Sequence, residues 1–214
     1  MGFIIIRLTF ISFLSGAVMY SYLIPRYVRK IDPRERAYDK NPGGSNAINA
    51  CGLFIGIICI LLDIGKAFIP VYITIHYFNI IGNRLIPVAV APVLGHAFSP
   101  FMRFRGGKAV ASAYGVLLAL YPYSITALIL ALIMFFFKVI IVVKPDSAGS
   151  ITSFITVNFI LLAIGEQLYI RIIMLGISLV VICKQLLHPD IGEKSAALFN
   201  KFLRLTFGEP KNHA

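Results

Sequence analysis

Two glycine-rich turns hold the residues of this chain best suited to chemistry, Asn41-Pro42-Gly43-Gly44-Ser45-Asn46 and Arg103-Phe104-Arg105-Gly106-Gly107-Lys108. Glycines let main-chain amides come close to a phosphate, and a helix starting at Ala109 would aim its positive dipole end at the same point. Lys108 adds a full positive charge, while Ser45 and Asn46 add short donors that either wrap a phosphate or cap the following helix. Taken singly, the first turn reads as a helix cap and the second as a basic membrane anchor. Placed on one membrane face, the pair reads as a phosphate site. Asp63 and Lys66 lie i, i+3 on one helical face inside an apolar stretch, so they are expected to pair or to face the interior. His96, in Gly95-His96-Ala97-Phe98, is either a hydrogen-bonded structural residue or a base.

Other chemistries lack support. His76, His96, His188 and His213 have no metal-ligand spacing, no Gly-x-Ser-x-Gly elbow occurs, and no metal or cofactor is expected. Cys51, Cys59 and Cys183 form no Cys-x-x-Cys pair and read as small buried hydrophobes.

The elements that must position these residues are membrane helices. The chain has 214 residues, of which 58% are hydrophobic and 14% charged, so its apolar surface must be covered by lipid. A net charge of +11 raises the question of nucleic acid. The aromatics lie inside apolar spans and are not interleaved with the basic residues, so membrane lipids and a phosphorylated substrate are the expected partners, without nucleic acid.

Charge-free stretches predict an all-α, polytopic bundle of about seven transmembrane helices, forming one domain over residues 1–214. The passes are Leu8 to Pro25, Cys51 to Ile75, Leu85 to Met102, two limbs within Ala109 to Val143, Ser147 to Gly165, and Gln167 to Leu187. As a single helix, Ala109 to Val143 would be roughly 50 Å long against a hydrocarbon core of about 30 Å, so it must break, and Tyr121-Pro122-Tyr123 is the natural place. The first limb is short, and a half-buried hinge follows. Arg26, Arg29, Lys30, Arg34, Arg36 and Lys40 crowd the first loop, with Arg103, Arg105, Lys108 and Lys144 on the same side, so that face is expected in the cytoplasm of the cell (inner) membrane and the amino terminus outside. After the last pass, Leu198, Phe199, Phe202 and Leu205 have the spacing of a surface helix.

With these residues in place, the sequence resembles the bacterial acyl-phosphate-dependent glycerol-3-phosphate acyltransferases. Asn41 to Asn46 is similar to that family's Asn-x-Gly-Ala-Thr-Asn turn, and Leu62-Asp63-Ile64-Gly65-Lys66 to its Leu-Asp-x-x-Lys element. Gly95 to Phe98 followed by Phe104 to Ser112 resembles its second motif, Gly-His-x-(Phe/Tyr)-Pro with Phe-Lys-Gly-Gly-Lys-Gly-Val-Ala-Thr. The resemblance implies a seven-span enzyme that moves an acyl group from acyl phosphate to the sn-1 hydroxyl of glycerol 3-phosphate, giving lysophosphatidic acid without acyl-CoA or metal. By position it assigns catalysis to Lys108, His96 and Asn46. Substrate binding falls to Asn41, Gly43, Ser45, Gly106, Gly107 and Ser112, with Asp39, Asn49, Ser147 or Ser150, and His188 at further family positions.

Departures gather at one wall. Where the family turn opens Gly-Ser-Gly-Asn, this chain has Tyr38-Asp39-Lys40-Asn41, so an acid replaces a phosphate-binding serine, and Asn49 replaces an arginine. Two unit charges about 4 Å apart interact by about 4 kcal/mol at an effective dielectric of 20, so Asp39 needs compensation from Lys40, Arg103 or Arg105 for a dianion to bind. Ser99-Pro100 shifts the second motif's proline by one place, and the third motif survives only as His188-Pro189-Asp190 and Phe207 to Lys211. These changes keep open an altered paralogue, either with a different polyol-phosphate acceptor or as a non-catalytic lipid- or phosphate-binding membrane protein. A small transporter built on Asp63, Lys66 and Lys138 is the third reading.

Overall fold

The computed structural model describes residues 1–35, 37 and 39–187, and among them the regular structure is helical. The expected features at His188, Ser195 to Leu205 and Phe207 to Lys211 lie outside the described residues. The α-helices are α1 (Gly2–Ala17), α2 (Tyr20–Arg29), α3 (Gly44–Cys51), α4 (Leu53–His76), α5 (Ile86–Ala97), α6 (Val110–Ala119), α7 (Thr126–Phe135), α8 (Asp146–Ala163) and α9 (Leu168–Leu187). Five helical stretches are long and apolar enough to cross a membrane, and Val110–Ala119 and Thr126–Ile140 are shorter apolar helices. The chain is a multi-pass integral membrane protein of the expected all-α class.

The first pass is longer than expected, from Gly2 to Arg29, and it is interrupted at Val18-Met19. A helix end inside a membrane frees carbonyls that water cannot reach, at several kcal/mol each if unsatisfied. Here the Ser99 hydroxyl donates to the Ala17 carbonyl at 2.6 Å, and the Lys66 ammonium donates to the Val18 carbonyl. Lys66 is held by Asp63 at 2.7 Å, with both side chains 2% exposed, and the Ser21 hydroxyl donates to the other Asp63 oxygen. The expected Asp63–Lys66 pair therefore clasps α4 to the break between α1 and α2.

Small residues let neighbouring helices touch. A Cβ on Gly16 would stand 2.1 Å from the Pro92 carbonyl oxygen and one on Gly95 2.1 Å from that of Phe13, so α1 and α5 meet backbone to backbone. Gly115 on α6 faces the Ile64 carbonyl of α4 in the same way. At Gly52, φ of +89° turns the chain from α3 straight into α4.

The long apolar stretch breaks where expected. With ten residues, α6 is only about 15 Å long, and it is sheltered by protein, with Ala113, Val116 and Leu117 buried. The hinge is half-buried, for Leu120 and Ser124 are inside while Tyr121 is exposed. Ser124 donates to Glu166 in the α8–α9 turn at 3.0 Å. At its far end α7 widens into a π-helical turn, Phe136–Ile140, which carries Lys138. Of the cysteines, Cys59 alone is buried; Cys51 is half-buried, and Cys183 is exposed on α9.

Candidate active site

Loop 30–43 carries the first wall. The Arg34 guanidinium grips both Asp32 oxygens, at 3.0 and 2.6 Å, and lies 4.6 Å above the Tyr22 ring, which folds the loop back onto α2. Hydrogen bonds from Arg34 hold the Asp32 carboxyl below the usual carboxylate range, against the opposing effect of burial. This fold brings Asp39 over the start of α3. The Asn46 amide donates to Asp39 at 2.9 Å and to the Asn41 carbonyl at 2.8 Å, and the Asn41 N–H donates to the same Asp39 oxygen at 3.2 Å.

The second wall is the hinge 103–109. Its left-handed residues are Arg103, Phe104 and Ala109, with φ between 51° and 62°, not the two glycines. Gly106 and Gly107 are needed for another reason, since a Cβ on Gly106 would fall 1.9 Å from the His96 carbonyl oxygen and one on Gly107 2.3 Å from His96 Nε2. The Gly107 N–H donates to the His96 carbonyl at 3.1 Å. These glycines seat the hinge on His96, and the Gly107 amide is already engaged by protein.

The two walls meet through charge. Asp39 Oδ2 stands 2.9 Å from Lys108 Nζ, with the two side chains 8% and 12% exposed. The residue that departs from the family turn therefore bridges the turns, and the compensation expected from Lys40, Arg103 or Arg105 comes from Lys108, the three others being exposed.

Around this bridge lies a cavity of about 850 Å³. Asp39, Asn41, Gly43, Ser45, Asn46, Asn49, His96 and Lys108 all line it, so most of the sequence-derived site residues converge. Gly106 and Gly107 stand behind it. Ser112 is turned away, its hydroxyl directed at the Asp63 carbonyl at 3.4 Å. Ser147 is buried at the start of α8, while Ser150, the alternative, lines the wall. Tyr114, Asp146 and Gln185, which the sequence did not single out, also line it, as does Lys138, which the sequence offered only to the transporter reading. The signal for its pairing is a lysine in an apolar run with an aspartate eight residues on. The Lys138 ammonium donates to Asp146 at 2.9 Å. Asn41 Oδ1, His96 Nδ1 and Gln185 Oε1 are buried without a hydrogen-bond partner among the described residues, and all three residues belong to the cavity lining. Such atoms suit a polar occupant.

A membrane bundle with a cavity between two glycine turns, lined by Lys108, Lys138 and unpartnered polar atoms, defines an integral membrane protein with a candidate site for an anion. Its family model is that of glycerol-3-phosphate acyltransferase, which matches residues 6–190. The chain belongs to this family. A glycerol-3-phosphate acyltransferase from Pseudothermotoga lettingae is 46% identical over 57% of this chain, and one from Maridesulfovibrio salexigens is 36% identical over 74% of it. The alignment covers 59% of the first relative's length and 78% of the second's. The crystal structure of PlsY (YgiH), an integral membrane glycerol 3-phosphate acyltransferase, in its glycerol 3-phosphate form, superimposes with a TM-score of 0.74 at 27% identity, covering 96% of this chain and 94% of that one. The lysophosphatidic acid form of PlsY aligns with a TM-score of 0.72 at 26% identity.

Proposed function

We propose that this protein transfers an acyl group from acyl phosphate to the sn-1 hydroxyl of glycerol 3-phosphate, in the cell membrane, from a site that faces the cytoplasm. The observation that carries this reading is the convergence of Lys108, Ser45, Asn46 and His96 on one cavity. The named relatives and the two PlsY forms, one with glycerol 3-phosphate and one with lysophosphatidic acid, support it.

The chemistry asks little of the protein beyond alignment and charge neutralisation. The acceptor hydroxyl oxygen bonds to the acyl carbon, the bond from that carbon to the phosphate oxygen breaks, and phosphate leaves with the electron pair. The hydroxyl proton passes to a phosphate oxygen. Lys108 offsets the charge that builds on a phosphate, the α3 turn orients the donor, and His96 fixes the hinge that carries Lys108. The decisive experiment combines purified protein, acyl phosphate and labelled glycerol 3-phosphate. Lysophosphatidic acid is expected from the wild type, and Lys108→Ala is expected to lower kcat/KM by about 10²–10³-fold. No product from this or any other polyol phosphate overturns the reading.

One observation favours a second reading. Because Asp39 sits on Lys108, an altered paralogue would keep the lysine closed to phosphate. Under that reading the wild type is inactive, and Asp39→Ser with Asn49→Arg creates activity in the same assay.

A further inference from the structure

The proposed reaction brings together two phosphate groups, one on the donor and one on the acceptor, yet Lys108 is a single cation. The cavity holds a second lysine. Lys138 projects from the π turn at the end of α7 and lines the same cavity as Lys108. A π turn adds a residue to the helical circuit, and here the Ile141 N–H reaches back to the Phe136 carbonyl at 2.9 Å. The stem of Lys138 runs over Gly149 of α8, with its Cγ 3.5 Å from where a Cβ there would stand. Its ammonium ends on Asp146 at 2.9 Å.

The charges lining the cavity among the described residues are then matched. Lys108 stands on Asp39 and Lys138 on Asp146, while Asp63 is already held by Lys66. Each lysine already meets a carboxylate, so an arriving phosphate competes with that carboxylate for the ammonium. The two clasps differ in their exposure. Asp146 is 59% exposed and Lys138 26%, a pairing that water screens strongly, whereas the Asp39–Lys108 pair is enclosed. The Lys138 clasp is the easier of the two to exchange.

We infer that Lys138 is a second phosphate-binding residue of this cavity, with Asp146 as the counter-ion that holds it in place until a substrate phosphate replaces it. The ligand chemistry is a phosphate mono- or dianion at the end of a small polyol or an acyl group. This rests on the proposed function only for the identity of those ligands.

The test has two arms. In steady-state assays, Lys138→Met, which keeps an apolar stem, is expected to raise KM for either glycerol 3-phosphate or acyl phosphate by about tenfold or more, as loss of a charge-assisted hydrogen bond requires, and the affected substrate identifies the phosphate held. Lys138→Arg restores most of the affinity, and Asp146→Asn lowers the same KM. Unchanged KM values for both substrates in Lys138→Met overturn the inference while leaving the acyltransferase reading intact. The second arm does not depend on turnover. Titration of the purified protein with glycerol 3-phosphate, and separately with inorganic phosphate, is expected to give at least tenfold weaker binding of one or both in Lys138→Met at an unchanged melting temperature, and equal binding of both overturns the inference even if the wild type makes no product.

Discussion

Asp39 joins the two walls of the cavity. One carboxylate accepts from the Asn46 amide and the Asn41 N–H and also meets Lys108, so it shapes the first turn as much as it occupies the lysine. Asp39→Asn keeps acceptor geometry and removes the competing charge; the expected outcome is a several-fold lower KM for the phosphate that Lys108 holds, read by initial-rate kinetics. A higher KM would mean that the carboxylate assists binding. Farther along the loop, Asp32 titrates below its unfolded value because Arg34 binds it. Its contribution to loop order is therefore present above about pH 4 and is lost as pH falls through its lower folded value. Limited proteolysis of loop 30–43 is expected to speed up on acidification in the wild type and to be fast at all pH values in Asp32→Asn. The residues that converge on the cavity were legible because glycine turns and lone polar groups stand out against an apolar background. What was illegible was pairing, since neither Asp39 with Lys108 nor the reason for Gly106 and Gly107, the nearness of His96, leaves a trace in linear spacing.

Among the elements, the interrupted first pass shows where sequence patterning stops. Apolar composition located the pass, and the break at Tyr121-Pro122-Tyr123 had a proline to mark it. The break at Val18-Met19 has no such signal, because what permits it comes from Lys66 on α4 and Ser99 after α5. Removing one partner of a buried ion pair leaves the other uncompensated, so Asp63→Ala is expected to destabilise the protein by roughly 3–5 kcal/mol, measured by thermal unfolding in detergent. The double change Asp63→Leu with Lys66→Met is expected to recover part of that loss but not the cap on the Val18 carbonyl. Where α1 crosses α5, Gly95→Leu would drive a side chain into the Phe13 carbonyl, and loss of the folded, extractable protein is the expected result.

Across the whole molecule, the crowding of basic residues on one face predicts the orientation. In a background without native cysteines, a membrane-impermeant thiol reagent applied to intact cells is expected to label Asn83→Cys and to leave Arg29→Cys unlabelled until the membrane is opened; the reverse pattern would invert the site. The helical class and the long apolar stretches were readable from charge-free length, whereas the shelter that lets the ten-residue α6 exist depends on neighbours distant in sequence. Self-matched charges in the cavity carry one further consequence, for the kinetics of capture. Paired lysines and carboxylates project little field beyond their own walls, and at physiological ionic strength a charge is screened over about 8 Å. Arg29, Lys30, Lys40, Arg103 and Arg105 are instead exposed, and charges of this kind are expected to draw a phosphate from solution. If the cavity binds phosphate as proposed, recruitment and retention fall to different residues, and added salt is expected to slow arrival far more than it hastens departure from within.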